Sequence, residues 1–334
     1  MVHTFLAQDA VELAVVERSG FIESRHIGSA VLTAQDGSVV FSLGDPIAPI
    51  YPRSTLKPFQ ALASMQAGAP LRGAQAAIAS GSHTGSIEHM DLVKDMLQKA
   101  GLRETDLLCP AAWPQDSEAY RWMVRAERGK TPLAMNCSGK HAAFLWACVE
   151  KGWDLKSYLD PQHPLQKLAI SLIEEYCGEA PVHLGVDGCG APVAAISLTA
   201  LSRGYGKLSR SPGDKNANAR AATIATSMVD YPWAVQGRGK PNSVVMEDLG
   251  VLTKGGAEGV IALGTETGVG VAVKILDGNE RASTLVALTL LAASGAIDVP
   301  GVATVLSKVV EPITGGNGVV GSLRLGAAVS ALLD

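Results

Sequence analysis

The stretch Tyr51-Pro-Arg-Ser-Thr-Leu-Lys-Pro-Phe-Gln60 places Ser54 three residues before Lys57. In a helix, residues three apart lie on one face and their side chains can meet. A serine hydroxyl needs a neighbouring base to become a useful nucleophile, and a lysine amine whose pKa is lowered by its surroundings can be that base. The alternative is structural, with Ser54 capping a helix and Lys57 lying in its solvated first turn.

The segments on either side of this stretch predict the fold. We expect a β-hairpin upstream, short strands near residues 251–275 downstream, a helical middle and closing helices. Within that middle, residues 192–201 are predicted to be a helix, and the glycine-rich residues 315–321 a turn. Strands from both ends of the chain can join one antiparallel sheet. The prediction is therefore an α+β fold in a single domain, 1–334, with a sheet subdomain (about 11–50 and 245–334) and a helical subdomain (about 55–245).

Composition excludes several classes of function. The chain has 334 residues, a formal net charge of −4, 47% hydrophobic residues and 18% charged residues. No basic block indicates nucleic acid or an anionic membrane as a partner, and no 18-residue apolar run predicts a membrane span. The first residues lack the pattern of a signal peptide, so we expect a cytoplasmic protein whose five cysteines are reduced.

Three further segments combine glycines with residues that can react or bind metal. They are Ala79-Ser-Gly-Ser-His-Thr-Gly-Ser86, Met135-Asn-Cys-Ser-Gly-Lys-His-Ala142 and Val186-Asp-Gly-Cys-Gly-Ala-Pro192. The first offers hydroxyls and an imidazole on a loop; it can equally be an ordinary loop that caps the next helix. The other two each place a cysteine just ahead of a predicted helix, which favours a reactive or metal-bound thiolate. Two such cysteines could share a metal with Lys140 or His141 and a water, or be small buried residues at tight turns.

A fourth segment, Lys254-Gly-Gly-Ala-Glu-Gly259, lies between two predicted strands. A lysine followed by a small residue and glycine is the layout of the Lys-Thr-Gly strand in Ser-x-x-Lys enzymes, where substrate approaches the strand backbone. A tight hairpin with a solvated lysine is the alternative interpretation.

Together these motifs, in this order, resemble the asparaginase II family, the thermolabile, Rhizobium-type L-asparaginases. The resemblance extends from about residue 12 to about residue 325. It implies a fold similar to that of serine β-lactamases and serine glutaminases, and hydrolysis of L-asparagine to L-aspartate and ammonia. A homodimer is also expected from the family.

The resemblance implies a role for individual residues. Ser54 with Lys57, and Ser82 with Lys254, would form two Ser–Lys pairs; Lys274 is the less favoured partner for Ser82, and Ser54 the favoured nucleophile. Cys137, Lys140 and Cys189 match the family's zinc ligands. Proximity in sequence to the two serines makes Arg53 and His83 candidate substrate-binding residues, and proximity to the zinc positions adds Asp187 and His141.

Two other functions remain open from the sequence. One is a glutaminase or a β-lactamase-like hydrolase, since the preference for a short amide rests on the family alone. The other is a non-catalytic, zinc-stabilised module that binds an amino acid.

Overall fold

The computed structural model describes residues 2–333. Strands occupy both ends of this part of the chain and helices most of its middle. The strands are β1 (Val11–Arg18), β2 (Phe21–Thr33), β3 (Val39–Leu43), β4 (Pro49–Ile50), β5 (His183–Val186), β6 (Pro192–Ser197), β7 (Leu252–Gly256), β8 (Val260–Gly264), β9 (Gly270–Ile275), β10 (Ile313–Gly315) and β11 (Gly318–Leu325). The helices are α1 (Lys57–Gln66), α2 (Ala74–Ala79), α3 (Ile87–Lys99), α4 (Ser117–Arg125), α5 (Ser138–Lys151), α6 (Pro164–Cys177), α7 (Leu198–Ser209), α8 (Ala219–Asp230), α9 (Pro232–Val235), α10 (Pro241–Leu249), α11 (Ser283–Ala293), α12 (Val299–Val309) and α13 (Ala327–Ser330).

The main sheet combines strands from both ends of the chain. Its order is β10-β11-β1-β2-β9-β8-β7, with β3 also paired to β2, and neighbouring strands run antiparallel. Strand β1 pairs with β11 in a register that places Ala14 opposite Leu325. The predicted α+β fold, with an antiparallel sheet from both ends and a helical middle, is confirmed.

Apolar layers cover both faces of this sheet. Helix α7 packs against β2, β8 and β9 from the helical middle, and α11 packs against the same three strands from the other face. The residues buried between sheet and closing helices form one core, while helices α1, α2, α5 and α6 share a second, larger core. Burial of apolar surface in these two cores is the main stabilising contribution to the fold.

The helix predicted over residues 192–201 is wrong. Residues Pro192–Ser197 form β6, every residue of which is buried, and Ser197 then caps α7 by accepting a hydrogen bond from the Ala200 N–H. A continuous apolar run of this length does not distinguish a buried strand from a buried helix. Helix α7 then continues to Ser209, beyond the end of the predicted helix.

The turn predicted over residues 315–321 is only part of what forms there. Gly315 ends β10, and Gly318 begins β11, which pairs with β1 inside the main sheet. A Cβ atom at Gly321 would collide with the Glu17 carbonyl of β1, so a glycine is required where these strands meet. No helix in residues 2–333 has the length and apolar character needed to cross a membrane.

Candidate active site

The turn that carries Ser54 leads directly into α1. Residues Arg53–Leu56 form a short 3-10 helix, and α1 begins at Lys57. Arg53 has a positive φ of 54°, a conformation that costs a non-glycine residue of order 1–3 kcal/mol. Ser54 is partly exposed, and within residues 2–333 its hydroxyl has no hydrogen-bond partner. Its Oγ is therefore accessible but is not paired with Lys57.

The hydroxyl that Lys57 contacts belongs to Ser82. Lys57 is 1% exposed, and its Nζ lies 2.5 Å from the Gly81 carbonyl oxygen, 2.9 Å from Ser82 Oγ and 3.3 Å from the Asn136 carbonyl oxygen. A protonated amine donates to all three oxygens. A neutral amine has two N–H donors and one lone pair. Since carbonyls only accept, the two carbonyls take both donors, and the lone pair is left for the Ser82 O–H.

The loop that carries Ser82 is held between two other loops. The backbone N–H of Ser82 donates to the Val235 carbonyl at 2.7 Å, and that of Thr84 to the Gln236 carbonyl at 2.9 Å. On the other side, the His83 N–H donates to the Asn136 carbonyl at 3.2 Å. Backbone hydrogen bonds thus fix Ser82 on both sides, as preorganised catalysis requires.

The imidazole of His83 does not face an open site. It is fully buried, with Nδ1 accepting from the Gly85 N–H at 3.1 Å and Nε2 lying 2.9 Å from Ser138 Oγ. Ser138 donates its own hydroxyl to the Leu133 carbonyl, so Nε2 carries the proton and donates to Ser138. Burial, reinforced by His89 and Lys57, lowers the pKa of His83 well below its usual value. Both nitrogens are engaged by protein groups, which favours a positioning role over the substrate contact predicted for His83.

Lys254 is buried in β7, so the Lys-Gly-Gly segment is a strand, as the Lys-Thr-Gly comparison suggested. Its Nζ donates to the Gly255 carbonyl. Burial and the charge of Lys57 lower its pKa well below the usual range. A Cβ atom at Gly256 would lie 2.7 Å from the Pro52 carbonyl oxygen and 3.3 Å from Ser54 N. The glycine therefore lets β7 approach the Ser54 turn closely.

Neither of the two lysines predicted as partners of Ser82 bonds to it within residues 2–333. Lys274 lies on β9, and its Nζ donates to the carbonyls of Glu258 and Ile275. Lys254 bonds to its neighbour Gly255. The Lys57–Ser82 hydrogen bond thus differs from the predicted pairing of Lys57 with Ser54 and of Ser82 with Lys254.

Cys137, Lys140 and Cys189 come together at the start of α5. Cys137 immediately precedes the helix, and Lys140 Nζ lies 3.1 Å from Cys189 Sγ. A hydrogen bond from the Cys189 thiol, aided by the charges of Lys57 and Lys140, lowers the pKa of Cys137 well below its usual value. Burial alone would lower the pKa of Lys140, but the two sulfurs reverse that effect and raise it. Two thiols and an amine are thereby collected in one buried cluster.

His141 and Asp187 border this cluster. The Nδ1 atom of His141 is 2.7 Å from the Tyr158 hydroxyl, while its buried Nε2 has no hydrogen-bond partner within residues 2–333. Asp187 accepts from Arg53 Nε at 2.7 Å. Burial would raise the pKa of Asp187, but the Arg53 hydrogen bond and the charge of Lys140 hold it below its usual value.

The donor set of the cluster is compatible with zinc, which binds thiolates and nitrogen atoms. An unpartnered, buried imidazole nitrogen at its border is an atom that a metal or a water could satisfy. Within residues 2–333, no group of three or more His, Cys, Asp or Glu residues is arranged to hold a metal ion. The predicted ligand set differs from such groups because one of its three ligands is the amine of Lys140.

Several groups at the site were not identified from the sequence. The Gly81 and Asn136 carbonyls bond to Lys57, Ser138 bonds to His83, and Tyr158 bonds to His141. Asn136 and Ser138 lie inside a motif that was singled out, so that motif was the available signal. Nothing in the sequence distinguishes Tyr158, which reaches the site only through the fold.

Comparisons with known proteins agree with the resemblance noted in the sequence. A family model described as L-asparaginase II matches residues 14–325. No curated protein matches the chain.

Solved structures with a similar arrangement have low sequence identity to this chain. The crystal structure of Mglu in its glutamate form is 14% identical, with a TM-score of 0.49, and the match covers 79% of this chain and 60% of that one. A Bacillus glutaminase is 11% identical, with a TM-score of 0.38, covering 81% and 92%. A beta-lactamase from Mycobacterium bovis is 16% identical, with a TM-score of 0.39, covering 85% and 95%. The chain thus spans less than two thirds of the Mglu chain, and similarities at this level give no argument about catalytic residues.

Proposed function

The chain belongs to the L-asparaginase II family, and on that premise we propose that it hydrolyses L-asparagine to L-aspartate and ammonia. The coarser assignment, an amidohydrolase acting on a small molecule, follows from the family. The observation that carries the proposed chemistry is the environment of Lys57, whose Nζ has two carbonyls and one hydroxyl as its hydrogen-bond partners. That environment suits a neutral amine acting as a base toward Ser82.

In the proposed mechanism, Ser82 Oγ attacks the side-chain amide carbon of asparagine as Lys57 Nζ accepts the hydroxyl proton. Lys57 then passes this proton to the departing amide nitrogen, which leaves as ammonia. Water hydrolyses the resulting ester on Ser82 and releases L-aspartate. The geometry therefore favours Ser82 as the nucleophile over Ser54, whose hydroxyl lacks a base within hydrogen-bond reach.

Ser54 and Lys254 have a supporting role beside the Ser82–Lys57 pair. Gly256 brings β7 against the backbone of Ser54, and the lowered pKa of Lys254 arises from burial and from the charge of Lys57. Once Lys57 has accepted the Ser82 proton, a neutral Lys254 avoids a second buried positive charge near it and can exchange a proton with substrate or water. We assign Ser54 and Lys254 to proton relay or to orientation of the substrate amide.

We propose that Cys137, Lys140 and Cys189 would hold a zinc ion, with His141 at the border of that site. A zinc ion supplies Lewis acidity and fixes the groups around it. Asn136 links the zinc ligands to the Ser–Lys pair. It immediately precedes Cys137, and its carbonyl accepts a hydrogen bond from Lys57. Anchoring Cys137 therefore also fixes one of the carbonyls that orient the Lys57 lone pair.

The nucleophile is tested by measuring ammonia release from L-asparagine and L-glutamine for wild type, Ser82→Ala and Ser54→Ala. We expect Ser82→Ala to lower kcat by roughly 10³-fold or more, and Ser54→Ala to reduce it less. An acyl adduct trapped on Ser82 and seen by mass spectrometry would agree with the proposal. An adduct on Ser54 would reverse the two roles, and the absence of turnover with either substrate would favour the amino-acid-binding module.

The metal is tested by its stoichiometry. We expect about one zinc per chain by elemental mass spectrometry, retained in Cys148→Ser and lost in Cys137→Ser. Cys148 is a matched control because it is buried on the same helix, where burial raises its pKa to about 12. Equal zinc content in both variants would exclude Cys137 as a ligand.

We also propose that the protein acts as a homodimer, on the strength of the family. Light scattering of the purified protein at two concentrations measures the mass directly, and a monomer at both would contradict the dimer.

A further inference from the structure

A cavity of about 270 Å³ lies beside the Ser54 turn, between the amino-terminal segment and the turn from β7 to β8. Its wall contains the charged side chains of Arg53, Glu258 and Lys274, together with Tyr51 and Thr4. A cavity of this size can hold a small polar molecule. The proposed mechanism uses none of Glu258, Lys274 or Thr4.

Two of the charged residues are held in a strained backbone conformation. Arg53 and Glu258 have φ angles of 54° and 64°, and Arg53 Nη1 lies 3.8 Å from Glu258 Oε1. In residues 2–333, the other non-glycine residues with positive φ are Ser19 and Glu127, which follow the ends of β1 and α4 in ordinary turns. Residues in strained backbone conformations are concentrated at ligand-binding and active sites.

Lys274 supplies a buried amino group to the same wall. It is 7% exposed, and its Nζ donates to two backbone carbonyls, those of Glu258 and Ile275. An ammonium group has three donors, so one remains for a ligand. Thr4 adds a second unsatisfied group: its Oγ1 is buried and has no hydrogen-bond partner within residues 2–333. Unsatisfied buried polar groups are rare and call for a partner.

The cavity adjoins the groups proposed for catalysis. Arg53 directly precedes Ser54, and Gly256, two residues before Glu258, packs against the Ser54 backbone. Glu258 offers a carboxylate that is 64% exposed, and Lys274 offers a cationic donor. A carboxylate and a cationic donor on one wall match a zwitterion, which is the form of a free α-amino acid.

We propose that this cavity binds the α-amino and α-carboxylate groups of the substrate, with Glu258 accepting from the ammonium and Lys274 donating to the carboxylate. This inference rests on the proposed asparagine hydrolysis and adds its selectivity. Glu258 and Lys274 would then determine selectivity, because an amide that lacks either α-substituent loses one of these two contacts. A site built to pair with a polar group rejects analogues that lack it.

The test compares three amides: L-asparagine, succinamate, which lacks the α-amino group, and 3-aminopropanamide, which lacks the α-carboxylate. We expect Glu258→Gln to lower kcat/KM for L-asparagine by roughly 10- to 100-fold while leaving succinamate unchanged. Lys274→Met should give a similar loss with L-asparagine and none with 3-aminopropanamide. Glu266→Gln, at an exposed position in the turn after β8, is the matched control.

The outcomes separate this inference from the proposed function. A parallel loss for all three amides, or no loss in either variant, would overturn the zwitterion site while leaving asparagine hydrolysis intact. If the wild-type protein hydrolyses no asparagine, calorimetry that compares the binding of L-aspartate with that of succinate still tests the zwitterion site. Tighter binding of L-aspartate that disappears in Glu258→Gln supports the site, and equal binding in wild type and variant contradicts it. Because Glu258 is exposed, its variant does not depend on refolding of a buried core.

Discussion

The helical and sheet sides of the candidate site are stabilised differently. On the helical side, defined by Lys57, Ser82, His83 and Ser138, every polar side-chain group has a protein partner, and three of the four residues are fully buried or nearly so. On the sheet side, Arg53 and Glu258 are partly exposed, strained and joined by a long ion pair of 3.8 Å.

This difference suggests a division of labour. A buried, fully bonded group keeps its position during a reaction and costs no reorganisation. An exposed, strained pair can exchange its weak internal contact for a ligand at little cost, since exposed ion pairs contribute about 0–1 kcal/mol. The helical side is thus suited to proton transfer, and the sheet side to selecting the substrate.

Removing the amine of Lys57 is the most severe test of this division. We expect Lys57→Met to lower kcat by roughly 10²- to 10⁴-fold, the contribution of a positioned base, and to prevent acyl-enzyme formation in a mass-spectrometric trapping assay. Lys99→Met, which removes a surface amine paired with Asp95, should leave kcat unchanged. Normal acylation in Lys57→Met would place the base elsewhere.

Ser138→Ala tests whether the bonding of the helical side is energetically important. The substitution leaves the buried Nε2–H of His83 without an acceptor, so we expect the free energy of unfolding to fall by about 1–3 kcal/mol, and kcat to fall as the Ser82 loop loosens. Ser64→Ala removes a buried hydroxyl that donates only to the Gln60 carbonyl of its own helix and should cost less. Equal decreases in the free energy of unfolding for the two variants, measured in urea, would show that the hydrogen bond between His83 and Ser138 contributes no more than an ordinary one.

Acid should destabilise the protein through the buried histidines of the helical side. Burial is the largest cause that lowers the pKa values of both His83 and His89. Because these pKa values are lower in the folded than in the unfolded state, the unfolded protein binds protons more readily as pH falls. The contribution of the neutral histidines to the free energy of unfolding is fully present above about pH 6.5. It falls by about 1.4 kcal/mol per pH unit for each histidine as pH drops from there toward the pKa of the folded state. Urea unfolding between pH 7.5 and 5 measures this slope. His89→Gln should reduce it, whereas His3→Gln, at an exposed position, should not.

The smallest effect concerns backbone strain on the sheet side. Glu258→Gly and Glu127→Gly each place glycine at a positive φ, so each should raise the free energy of unfolding by about 1 kcal/mol. Only Glu258→Gly should also reduce kcat/KM for L-asparagine, because Glu127 follows α4 away from the cavity. Thermal unfolding and steady-state kinetics of both variants measure the two effects. If both variants are more stable and neither changes kcat/KM, the backbone strain at Glu258 has no role in substrate selection.

Local patterns in the sequence were sufficient for the architecture. Apolar periodicity and turn residues predicted strands at both ends and helices between them, and the sheet combines these strands as expected. The same reasoning failed at residues 192–201, because a short, wholly apolar run fits a buried strand as well as a helix.

The motifs predicted which residues lie at the site, but they did not predict which of these residues form hydrogen bonds with each other. The i, i+3 spacing suggested that Lys57 meets Ser54, yet Lys57 Nζ bonds to Ser82 because the Gly81 and Asn136 carbonyls draw it toward the adjacent loop. These carbonyls belong to the backbone of distant segments and leave no trace in residue identity. Thr4 is equally invisible, and Lys274 was named only as a partner of Ser82, since only the fold brings the amino-terminal segment, β9 and the Ser54 turn to one cavity.

The pairing of β1 with β11 has a consequence for how the protein is made. Its two strands come from opposite ends of the sequence, with Ala14 beside Leu325, so β1 cannot acquire this neighbour until almost the whole chain has been synthesised. Until then the outer edge of β1 has unpaired backbone groups that can join another chain. Contacts between residues so far apart in sequence also slow folding. We therefore expect nascent or carboxy-terminally shortened chains to depend on chaperones and to aggregate, even though every helix that surrounds the candidate site is already present in them.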